Sequence, residues 1–411
     1  MLISPARLGG TLRPVASKSH LIRLLLASLL AQQETTIEGY TPSADVDATL
    51  NCIQALGMGH EVEGRSLHLF PIEQRGDQLM VGESGTLLRM LIPIVGALGL
   101  TATIDAKEGL RARPVKTTLE LLASHGVAVS RNYPLHLEGQ LTAGTYYVDV
   151  SMSSQFLSGF LMALPLLDGD SRIRLVGHPV SIGYVQMTVD VMTRYGVKVT
   201  PTVDGYVVRG NQTYRAPAKV ECDGDWSSAA FWGIAGALYA PIRLKGLNPD
   251  SPHKDKAFAD ILAEAGAKVE WQEGDLLVTP GKIQPINRDM RYTPDLCPIV
   301  ATLCALADGV SHLRGVGNLR YKECDRLSAI ISDLEAVGIE ADYDEESDCL
   351  SIEGGTPTPG RWQGFNDHRM VMSGAILLSR MGGEVTDPAA VGKSYPTFWE
   401  DFKSLGGQLC D

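Results

Sequence analysis

The sequence lacks the cysteine patterns that mark disulfide frameworks and zinc sites. Its seven cysteines are scattered along 411 residues, are odd in number and form no C-x-x-C pair. Such a distribution is typical of proteins of the reducing cytosol. We therefore expect a cytoplasmic protein without a disulfide framework or a metal site.

Long apolar runs and a basic excess are also missing. The longest apolar run, roughly residues 90–104, is broken by glycine and is too short to span a bilayer. Residues 1–5 do not have the pattern of a signal peptide. With 36 Lys and Arg against 48 Asp and Glu, the net charge of −12 argues against nucleic acid as a partner. We expect neither a membrane nor a nucleic-acid partner, and a small anion would need a local basic cluster.

Three common cofactor motifs are absent. The chain contains no Walker A loop, no G-x-G-x-x-G after a strand and no H-E-x-x-H. We therefore expect no cofactor. The composition, with 44% apolar and 20% charged residues, is that of an ordinary globular protein, and its length predicts two or three domains.

A sixfold internal repeat dominates what is present. Six amphipathic helical patterns each end in a glycine, which suits the left-handed position after a helix, and a short strand-like run follows most of them. These glycines recur about every 70 residues, too far apart for a common solenoid. They are Gly57, Gly126, Gly196, Gly266, Gly338 and Gly406.

A second set of six helices, strongly apolar and therefore buried, interleaves with the first. They begin near Ser17, Glu83, Ser153, Asp225, Asp295 and Asp367. The repeating unit is then βαβαββ, and we expect an α/β (α+β) fold of two similar domains with three units each. The buried helices of each domain would run parallel, and their polar first turns would line a cleft between the domains. One domain would be discontinuous, residues 1–17 plus 226–411, and the other would span residues 18–225.

Basic and hydroxyl residues recur where these helices begin. The first turn of a helix carries unpaired N–H groups and the positive end of the dipole, which suits phosphate or carboxylate. Lys18 and Arg23 open the first helix, Arg89 follows Gly85, and Arg113 precedes Pro114 beside Arg111. Each opening, taken alone, is also explained by helix capping and solvated charges.

Carboxylates accompany the basic residues in the second half. Asp295 opens a buried helix as a cap or a base, and Glu323 beside Lys322 could be tuned for proton transfer. Asp225 is best interpreted as a cap, and Cys324 has no neighbouring His that would make it a nucleophile. Anion clamps with two or three carboxylates predict transfer chemistry between small anionic metabolites.

The motifs, taken in order, resemble the family of 5-enolpyruvylshikimate-3-phosphate (EPSP) synthase over nearly the whole chain. The residues that carry the resemblance are Ser17–Ser19 with Arg23, Gly85-Thr86 with Arg89, Arg113-Pro114, Ser153–Phe156, Pro294-Asp295, Arg320–Arg326, Asn366–Met370 and Lys393. Two positions differ from the usual pattern: Glu83 stands where members often carry Asn, and no Lys-Pro separates Ser181 from Tyr184.

The resemblance implies transfer of the enolpyruvyl group of phosphoenolpyruvate to the 5-hydroxyl of shikimate 3-phosphate, with release of phosphate. This is a step of the shikimate pathway, which leads to aromatic amino acids. It also implies two domains, each of three βαβαββ units. We further expect a monomer.

The site residues follow from the same resemblance. Shikimate 3-phosphate would be bound by Lys18, Ser19, Arg23, Ser153, Ser154, Gln155, Ser181, Asp295, Asn318 and Lys322. Phosphoenolpyruvate would be bound by Lys18, Gly85, Arg113, Gln155, Arg326, Arg369 and Lys393. The catalytic residues would be Asp295 as the base and Glu323 as the acid, with Lys18, Lys393 and His368.

Two other interpretations compete with this one. The sister enolpyruvyl transferase that acts on UDP-N-acetylglucosamine typically carries a Cys in the loop before its Arg-Pro, and residues 107–113 contain none. A non-catalytic anion-binding protein on the same fold is the other alternative. The joint presence of Lys18, Asp295, Glu323 and Lys393 argues against it.

Overall fold

The chain folds into two compact units. A computed structural model describes residues 1–151, 153–177 and 183–410. The continuous unit is Lys18–Cys222, and the discontinuous unit combines Met1–Ser17 with Asp223–Asp411. The two crossovers in this division follow residues 17 and 222, and the sequence analysis placed them after residues 17 and 225.

The elements follow one another in the order that the repeat predicts. The chain opens with two strands of the discontinuous unit, β1 (Leu2–Ser4) and β2 (Gly10–Leu12). The continuous unit then contains α1 (Lys18–Ala31), β3 (Thr35–Glu38), α2 (Ala44–Ala55), β4 (Met58–Glu63), β5 (Ser66–Pro71), β6 (Gln78–Met80), α3 (Gly85–Ala97), β7 (Ala102–Asp105), α4 (Glu108–Arg111), α5 (Lys116–Ala123), β8 (Val127–Val129), β9 (Leu135–Gly139), β10 (Thr145–Asp149), α6 (Gln155–Ala163), β11 (Ser171–Val176), α7 (Gly183–Arg194), β12 (Val199–Thr202), β13 (Gly205–Val208) and β14 (Lys219–Glu221).

The rest of the discontinuous unit repeats the pattern. It contains α8 (Trp226–Leu238), β15 (Ile242–Leu244), α9 (Phe258–Glu264), β16 (Lys268–Gln272), β17 (Asp275–Thr279), β18 (Asn287–Asp289), α10 (Cys297–Cys304), β19 (Val310–Arg314), α11 (Arg326–Ala336), β20 (Glu340–Asp344), β21 (Cys349–Glu353), β22 (Gly360–Trp362), α12 (His368–Leu378), β23 (Gly383–Val385), α13 (Phe398–Ser404) and β24 (Gln408–Cys410). Short 3₁₀ helices add Leu164–Leu166, Lys254–Ala257, Pro294–Leu296, Gly317–Tyr321 and Pro388–Lys393.

Each unit contains, within the described residues, three four-stranded sheets of one topology. The order is β14-β3-β5-β4, β6-β7-β9-β8 and β10-β11-β13-β12 in the continuous unit. It is β2-β15-β17-β16, β18-β19-β21-β20 and β22-β23-β1-β24 in the discontinuous unit. The first two strands in every order pair in parallel and the other neighbours pair antiparallel. The parallel pairs are joined through a buried helix in four of the sheets, as parallel strands require a crossover.

Three strands reach their sheets from far along the chain. In the continuous unit, β14 at its end pairs with β3 near its beginning. In the discontinuous unit, β2 pairs with β15, and β1 lies between β23 and β24. The sequence predicted that the segment before Ser17 belongs with the C-terminal half, and this pairing confirms it.

The six repeat glycines adopt the predicted backbone conformation. Each follows an amphipathic helix and has a positive φ, between 80° and 98°. Because this region is costly for residues with a Cβ, glycine ends the helix and lets the chain turn into the next strand. The six patterns correspond to α2, α5, α7, α9, α11 and α13.

The six apolar helices form the cores of the two units. Every residue of α3 is buried, and α6, α8, α10 and α12 are nearly as enclosed. In the continuous unit, α3 and α6 touch closely at Gly159, where a Cβ would lie 2.7 Å from Pro93 Cγ and 2.8 Å from the Arg89 oxygen. This contact brings the first turns of two buried helices together. No helix among the described residues has the length and apolar character needed to cross a membrane.

Candidate functional site

In the continuous unit, the first turns of α3 and α6 are joined through one side-chain amide. Gln155, the first residue of α6, donates from Nε2 to Thr86 Oγ1 at 2.8 Å and accepts at Oε1 from Arg89 Nη1 at 2.8 Å. The Arg89 guanidinium also lies 5.4 Å from the Phe156 ring centre. Arg89 is only 7% exposed, so the interpretation as a solvated surface arginine is wrong for this residue.

Gly85 lets two guanidinium groups approach the start of α3. A Cβ at this position would lie 2.9 Å from Arg89 Nη1 and 3.0 Å from Arg113 Nη1. Within the described part of the chain, no ion pair involves Arg113, whereas the neighbouring Arg111 is held by Asp105 at 2.8 Å. Two arginines beside the amide-rich end of a buried helix form a site suited to a phosphate or carboxylate. Only Arg113 of the two arginines before Pro114 is placed there.

Lys18 is anchored where α1 begins. Its Nζ lies 3.0 Å from Asp45 Oδ2 in α2, and both side chains are largely enclosed. The pairing holds the ammonium in one place, and Ser19 beside it is half-buried. Asp45 was not predicted as a site residue, although it opens the first repeat helix; a buried partner for Lys18 leaves no pattern in the sequence.

Arg23 lies inside the continuous unit. It is 1% exposed and donates from Nε to Thr188 Oγ1 at 2.7 Å and from Nη1 to the Ser19 carbonyl at 2.8 Å. Burial lowers its pKa to about 10, with an opposing contribution from Tyr184. Its Nη2 lies 3.5 Å from Ser158 Oγ, so Arg23 ties α1 to α6 and α7. A buried guanidinium held by hydroxyls and a carbonyl retains its charge for a nearby anion.

Ser153 and Ser154 lie immediately before the first turn of α6. Ser153 Oγ accepts from the Gln155 amide at 3.2 Å, and Ser154 is buried. Both residues therefore lie beside Gln155, and their role as ligands stays a prediction. Ser181, another predicted ligand of shikimate 3-phosphate, lies outside the described residues.

Glu83 does not stand alone before α3. Its Oε1 lies 3.9 Å from Lys107 Nζ, a pair at the edge of the arginine cluster. Because both side chains are at least one-third exposed, this ion pair is screened and weak. The nearby ammonium of Lys107 reduces the repulsion that the Glu83 carboxylate would exert on an anion at this helix start.

In the discontinuous unit, three cations surround Asp295. Its Oδ1 lies 2.9 Å from Arg326 Nη1 and 3.5 Å from Lys322 Nζ, and its Oδ2 lies 3.1 Å from Arg369 Nη2. Burial opposes ionisation, yet Arg369, Lys322 and Arg326 together hold the pKa of Asp295 well below its usual range. Asp295 is therefore a carboxylate at neutral pH, at the point where α10 begins.

Arg326 is the centre of this cluster. It is 0% exposed and donates from Nε to Asp367 Oδ2 at 2.7 Å and from Nη2 to Glu323 Oε2 at 2.6 Å, besides its bond to Asp295. Three carboxylates raise its pKa well above the ordinary value against the effect of burial. Arg326 was predicted to bind phosphoenolpyruvate, but its observed contacts are with protein carboxylates, which favours a structural role.

Glu323 lies between two cations. One oxygen accepts from Arg326, and Oε1 lies 3.7 Å from Lys393 Nζ. Lys393 is 9% exposed, so it is not the solvated lysine that its surroundings in the sequence suggest. A carboxyl group enclosed with an ammonium and a guanidinium is a candidate for proton transfer.

The start of α12 adds two further predicted residues. Asp367 caps this helix by accepting from the Arg369 amide at 2.8 Å, and its Oδ1 lies 3.6 Å from His368 Nδ1. His368 is fully buried, and its neighbour Arg369 reaches Asp295. Cys324 points to Asp367 Oδ2 at 3.7 Å, and burial with that charge raises its pKa, which disfavours a thiolate nucleophile.

Asn318 and Lys322 lie at the two ends of one short segment. Asn318 belongs to the 3₁₀ helix Gly317–Tyr321, and its Oδ1 is buried without a hydrogen-bond partner among the described residues. Because buried amide oxygens are normally bonded, this atom is suited to a ligand hydroxyl. Lys322 follows directly and contacts Asp295.

A further buried carboxylate near Asp295 was missed by the sequence analysis. Asp255 accepts a hydrogen bond at Oδ2 from Ser227 Oγ, and its amide donates to His253 Nδ1 at 3.2 Å. Burial raises its pKa, and among its neighbours Asp295 acts in the same direction while Arg369 opposes it. The only signal was an acidic residue at the start of a repeat helix, which also describes an ordinary cap. Asp225 is such a cap, since it accepts from the Ser228 amide at 2.6 Å, as predicted.

Comparison with known proteins identifies this arrangement. A sequence model of EPSP synthase (3-phosphoshikimate 1-carboxyvinyltransferase) matches residues 3–402. The chain belongs to the EPSP synthase family. A 3-phosphoshikimate 1-carboxyvinyltransferase of Clostridium kluyveri is 34% identical over 423 residues, which cover 99% of this chain and 97% of the relative. One from Clostridium perfringens is 35% identical and covers 100% of this chain and 99% of its own length.

Solved structures share the fold. An EPSP synthase from Acinetobacter baumannii superposes with a TM-score of 0.84 at 21% identity and covers 100% of this chain and 99% of that one. The enolpyruvyl transferase NikO from Streptomyces tendae gives a TM-score of 0.79 at 19% identity, covering 99% and 97%. The predicted α/β class is confirmed by these matches.

Membership of the family supplies the reaction. The protein is an enzyme that transfers the enolpyruvyl group of phosphoenolpyruvate to shikimate 3-phosphate, a step of the shikimate pathway. The prediction made from the resemblance is therefore confirmed, and the full-length family match argues against the alternatives of a sister transferase and a non-catalytic binding protein.

Proposed function

We propose that Asp295 and Glu323 carry the proton transfers of this reaction and that the cations around them stabilise its charges. The observation that carries the proposal is the cluster in which Arg326, Arg369 and Lys322 meet Asp295, while Lys393 meets Glu323. An acid and a base in one reaction need different pKa values, and two carboxyl groups with different partners can have them.

Phosphoenolpyruvate is assigned to a set of cations and amide groups, most of them at the starts of helices. Gly85, Arg113 and Gln155 provide an anion site at the starts of α3 and α6, and Lys18, Arg326, Arg369 and Lys393 are the other predicted ligands. Each charge-assisted hydrogen bond to the substrate contributes about 1.5–3 kcal/mol. For Arg326, the enclosure by three carboxylates supports a role in holding Asp295 and Glu323 in place.

Shikimate 3-phosphate is assigned to hydroxyls, amides and a few cations. Its predicted ligands are Lys18, Ser19, Arg23, Ser153, Ser154, Gln155, Ser181, Asp295, Asn318 and Lys322. Two observations support members of this set. Arg23 is a buried cation held by hydroxyls and a carbonyl, and Asn318 Oδ1 lacks a described partner. A phosphate near Arg23 and a sugar-like hydroxyl near Asn318 would satisfy both.

Asp295 acts on the 5-hydroxyl of shikimate 3-phosphate. In the ligand-free protein, three cations make this carboxylate a weak base. When anionic substrates draw Arg369 and Lys322 towards their own oxygens, Asp295 loses part of that stabilisation and becomes more basic. The base is thus activated by the substrates themselves, and it takes the hydroxyl proton as the new C–O bond forms.

Glu323 delivers a proton to the methylene carbon of phosphoenolpyruvate. Protonation there makes the adjacent carbon electrophilic, and the hydroxyl oxygen attacks it to give a tetrahedral intermediate. One methyl proton then returns to Glu323 as the C–O bond to phosphate breaks, and Asp295 passes the proton of the former hydroxyl to the departing phosphate, which restores both carboxyl groups. Lys18 and Lys393 stabilise the anionic groups, and His368 beside Asp367 is the remaining candidate for assisting the proton transfers.

The assay that tests the proposal measures phosphate release from phosphoenolpyruvate with shikimate 3-phosphate as acceptor. We expect turnover with this acceptor and none with UDP-N-acetylglucosamine. Turnover only with the nucleotide sugar would contradict the assignment of the acceptor site. Absence of phosphate release with both acceptors would contradict the catalytic roles altogether.

Lys18 is proposed to contact both substrates. We therefore expect Lys18→Ala to raise the KM of phosphoenolpyruvate and of shikimate 3-phosphate, each by about tenfold or more for one lost charged contact. Asp45→Asn is the matched variant, because it keeps Lys18 but removes the ion pair that anchors it. A change in only one KM in Lys18→Ala would overturn the shared role.

The protein is further proposed to act as a cytoplasmic monomer. The free state of all seven cysteines agrees with a reducing compartment. Light scattering of the purified protein should give the mass of one chain, 44.3 kDa. A mass of two chains would contradict this assignment.

A further inference from the structure

We propose that Tyr395 is a positioning residue, whose hydroxyl, bonded between Trp232 and Asp401, holds the segment that presents Lys393 to Glu323. The inference rests on the proposed role of Lys393. It assigns a supporting role to a residue in the core of the discontinuous unit, close in the chain to Lys393.

The Tyr395 hydroxyl has two protein partners. Trp232 Nε1 donates to it at 2.9 Å, and the hydroxyl donates to Asp401 Oδ2 at 2.7 Å. An indole N–H is only a donor, so the direction of both bonds is fixed. Thr397 Oγ1 lies 3.2 Å from the same Asp401 oxygen and completes the chain. Burial, and after it the charge of Asp401, keep the pKa of Tyr395 well above its usual value, so the phenol remains a donor.

Aromatic packing holds the ring of Tyr395. Tyr395, Trp232 and Phe398 are all fully buried. Tyr395 meets Trp232 edge-on at 6.2 Å and Phe398 edge-on at 5.7 Å, while Trp232 and Phe398 stack at 5.1 Å. Trp232 belongs to the buried helix α8 and Phe398 begins α13, so the ring is held between two helices.

The backbone of Tyr395 closes the turn that carries Lys393. The amides of Ser394 and Tyr395 both donate to the Val391 carbonyl, at 3.2 and 2.8 Å. Val391 and Lys393 lie in the 3₁₀ helix Pro388–Lys393. A lysine side chain is long and flexible, so the position of its ammonium depends on where its backbone is anchored. Only Ser394 separates Tyr395 from Lys393, whose ammonium lies 3.7 Å from Glu323 Oε1.

Removal of the hydroxyl alone should therefore loosen Lys393. In Tyr395→Phe, the indole N–H and the Asp401 oxygen both lose a buried partner, while the aromatic packing remains. The core must then rearrange locally to satisfy these groups, and the turn before Tyr395 is the nearest segment that can move.

The main test compares Tyr395→Phe with Tyr239→Phe. Tyr239 is a second buried tyrosine of the same unit, and its hydroxyl donates to the Ile376 carbonyl at 2.6 Å. We expect kcat to fall about 10- to 100-fold in Tyr395→Phe, as displaced catalytic groups produce, with the KM of shikimate 3-phosphate changed by less than about twofold. Tyr239→Phe should retain the wild-type kcat.

A second measurement follows Lys393 without requiring turnover. The ligand-free enzyme is treated with an acylating reagent, and the peptide that contains Lys393 is quantified by mass spectrometry over time. We expect faster labelling of Lys393 in Tyr395→Phe than in the wild type or Tyr239→Phe, because the ammonium leaves its enclosed position. If Tyr395→Phe folds too poorly, Asp401→Asn removes the charge from the same chain and should accelerate labelling as well.

The outcomes separate this inference from the proposed function. Wild-type kcat and unchanged Lys393 labelling in Tyr395→Phe would overturn the inference, as would equal effects in Tyr239→Phe. Failure of the wild-type enzyme to release phosphate would instead overturn the proposed function, and the labelling comparison would still decide whether Tyr395 positions Lys393.

Discussion

The two units surround their predicted site residues with different partners. In the continuous unit, Arg89 bonds to the neutral amide of Gln155, and no described ion pair involves Arg113 beside Gly85. In the discontinuous unit, Arg326 alone meets Asp295, Glu323 and Asp367. The carboxylates described at these openings therefore gather in the discontinuous unit, where we propose that they exchange protons, and we propose that the arginines of the continuous unit bind anions.

This difference explains why a protein with a net charge of −12 can take anionic substrates. A cation that is satisfied by neutral groups retains its attraction for phosphate, and a cation that is paired with carboxylates mainly tunes those carboxylates. The repeat gives both units the same helix openings, and the residue types at those openings place the two carboxyl groups proposed for proton transfer in the discontinuous unit and the arginines beside Gly85 in the continuous unit. Three predictions test this division, in order of decreasing effect.

Loss of a carboxylate in the discontinuous unit should abolish most turnover. We expect Asp295→Asn and Glu323→Gln each to lower kcat by about 10²–10⁴-fold, since a general base or acid is removed while the shape remains. Steady-state kinetics of phosphate release measures the effect. Glu345→Gln is the control in the same unit, because the ion pair described for Glu345 is an exposed one with Arg320. Near-normal turnover of either variant would remove that residue from the catalytic role.

Crowding of the arginine cluster in the continuous unit should affect binding more than chemistry. In Gly85→Ala, the new methyl group would press on Arg89 Nη1 and Arg113 Nη1 at 2.9 and 3.0 Å. We expect the KM of phosphoenolpyruvate to rise about 10- to 100-fold through loss of one charged contact, with a smaller change in kcat.

Gly109→Ala provides the matched control for that substitution. Gly109 also lies in a helix of the continuous unit, and a Cβ there would meet nothing within 4 Å. Its kinetic constants should equal those of the wild type. A loss confined to kcat in Gly85→Ala would contradict the assignment of this cluster to binding.

Asp333 provides a test with a smaller expected effect, which concerns the stability of the protein when a buried carboxyl group faces no described cation. Unlike Asp295, it faces no described cation: Oδ1 accepts from the Gln363 amide at 2.7 Å, and Oδ2 has no hydrogen-bond partner among the described residues. Burial raises the pKa of Asp333 from 3.8 to about 8. The folded state therefore keeps a proton that the unfolded state releases, and stability is lost as the pH rises from 3.8 to about 8.

Replacement of this group should reverse that loss. We expect Asp333→Asn to raise the free energy of unfolding near pH 8 by about 1–3 kcal/mol and to flatten its dependence on pH. Denaturant titrations at several pH values measure both effects. Asp308→Asn should give no such gain, because Lys282 lowers the pKa of that exposed carboxyl group. A pH dependence identical to the wild type in Asp333→Asn would contradict the assignment.

Local patterns predicted most of the fold. The six glycines end helices with positive φ, and the six polar openings begin buried helices, because both signals depend on only a few adjacent residues. The crossover after Ser17 followed from counting units. The sequence analysis placed the second crossover after residue 225, and the division into units places it after residue 222. The strand before it, β14, is short and pairs with the distant β3, and such a pairing leaves no local pattern in the sequence.

The site was predicted less completely. The resemblance supplied Asp295, Glu323, Lys322, Arg369 and Lys393, which the structure brings into one cluster. It gave no sign that Arg326 is enclosed by carboxylates, that Asp45 anchors Lys18 or that Asp255 lies near Asp295. Buried acidic residues look like ordinary helix caps when only their neighbours in the sequence are known.

The sequence by itself determined the period of the repeat, the kinds of element and the residue types at each helix opening, because these depend on short-range backbone preferences. The tertiary structure alone decided which cations pair with which carboxylates. Arg326 and Asp367, or Arg369 and Asp295, are far apart along the chain, and only the packing of their helices brings them within bonding distance. Because charge pairing depends on those distances and on exclusion of water, it follows from the folded arrangement and from no local pattern.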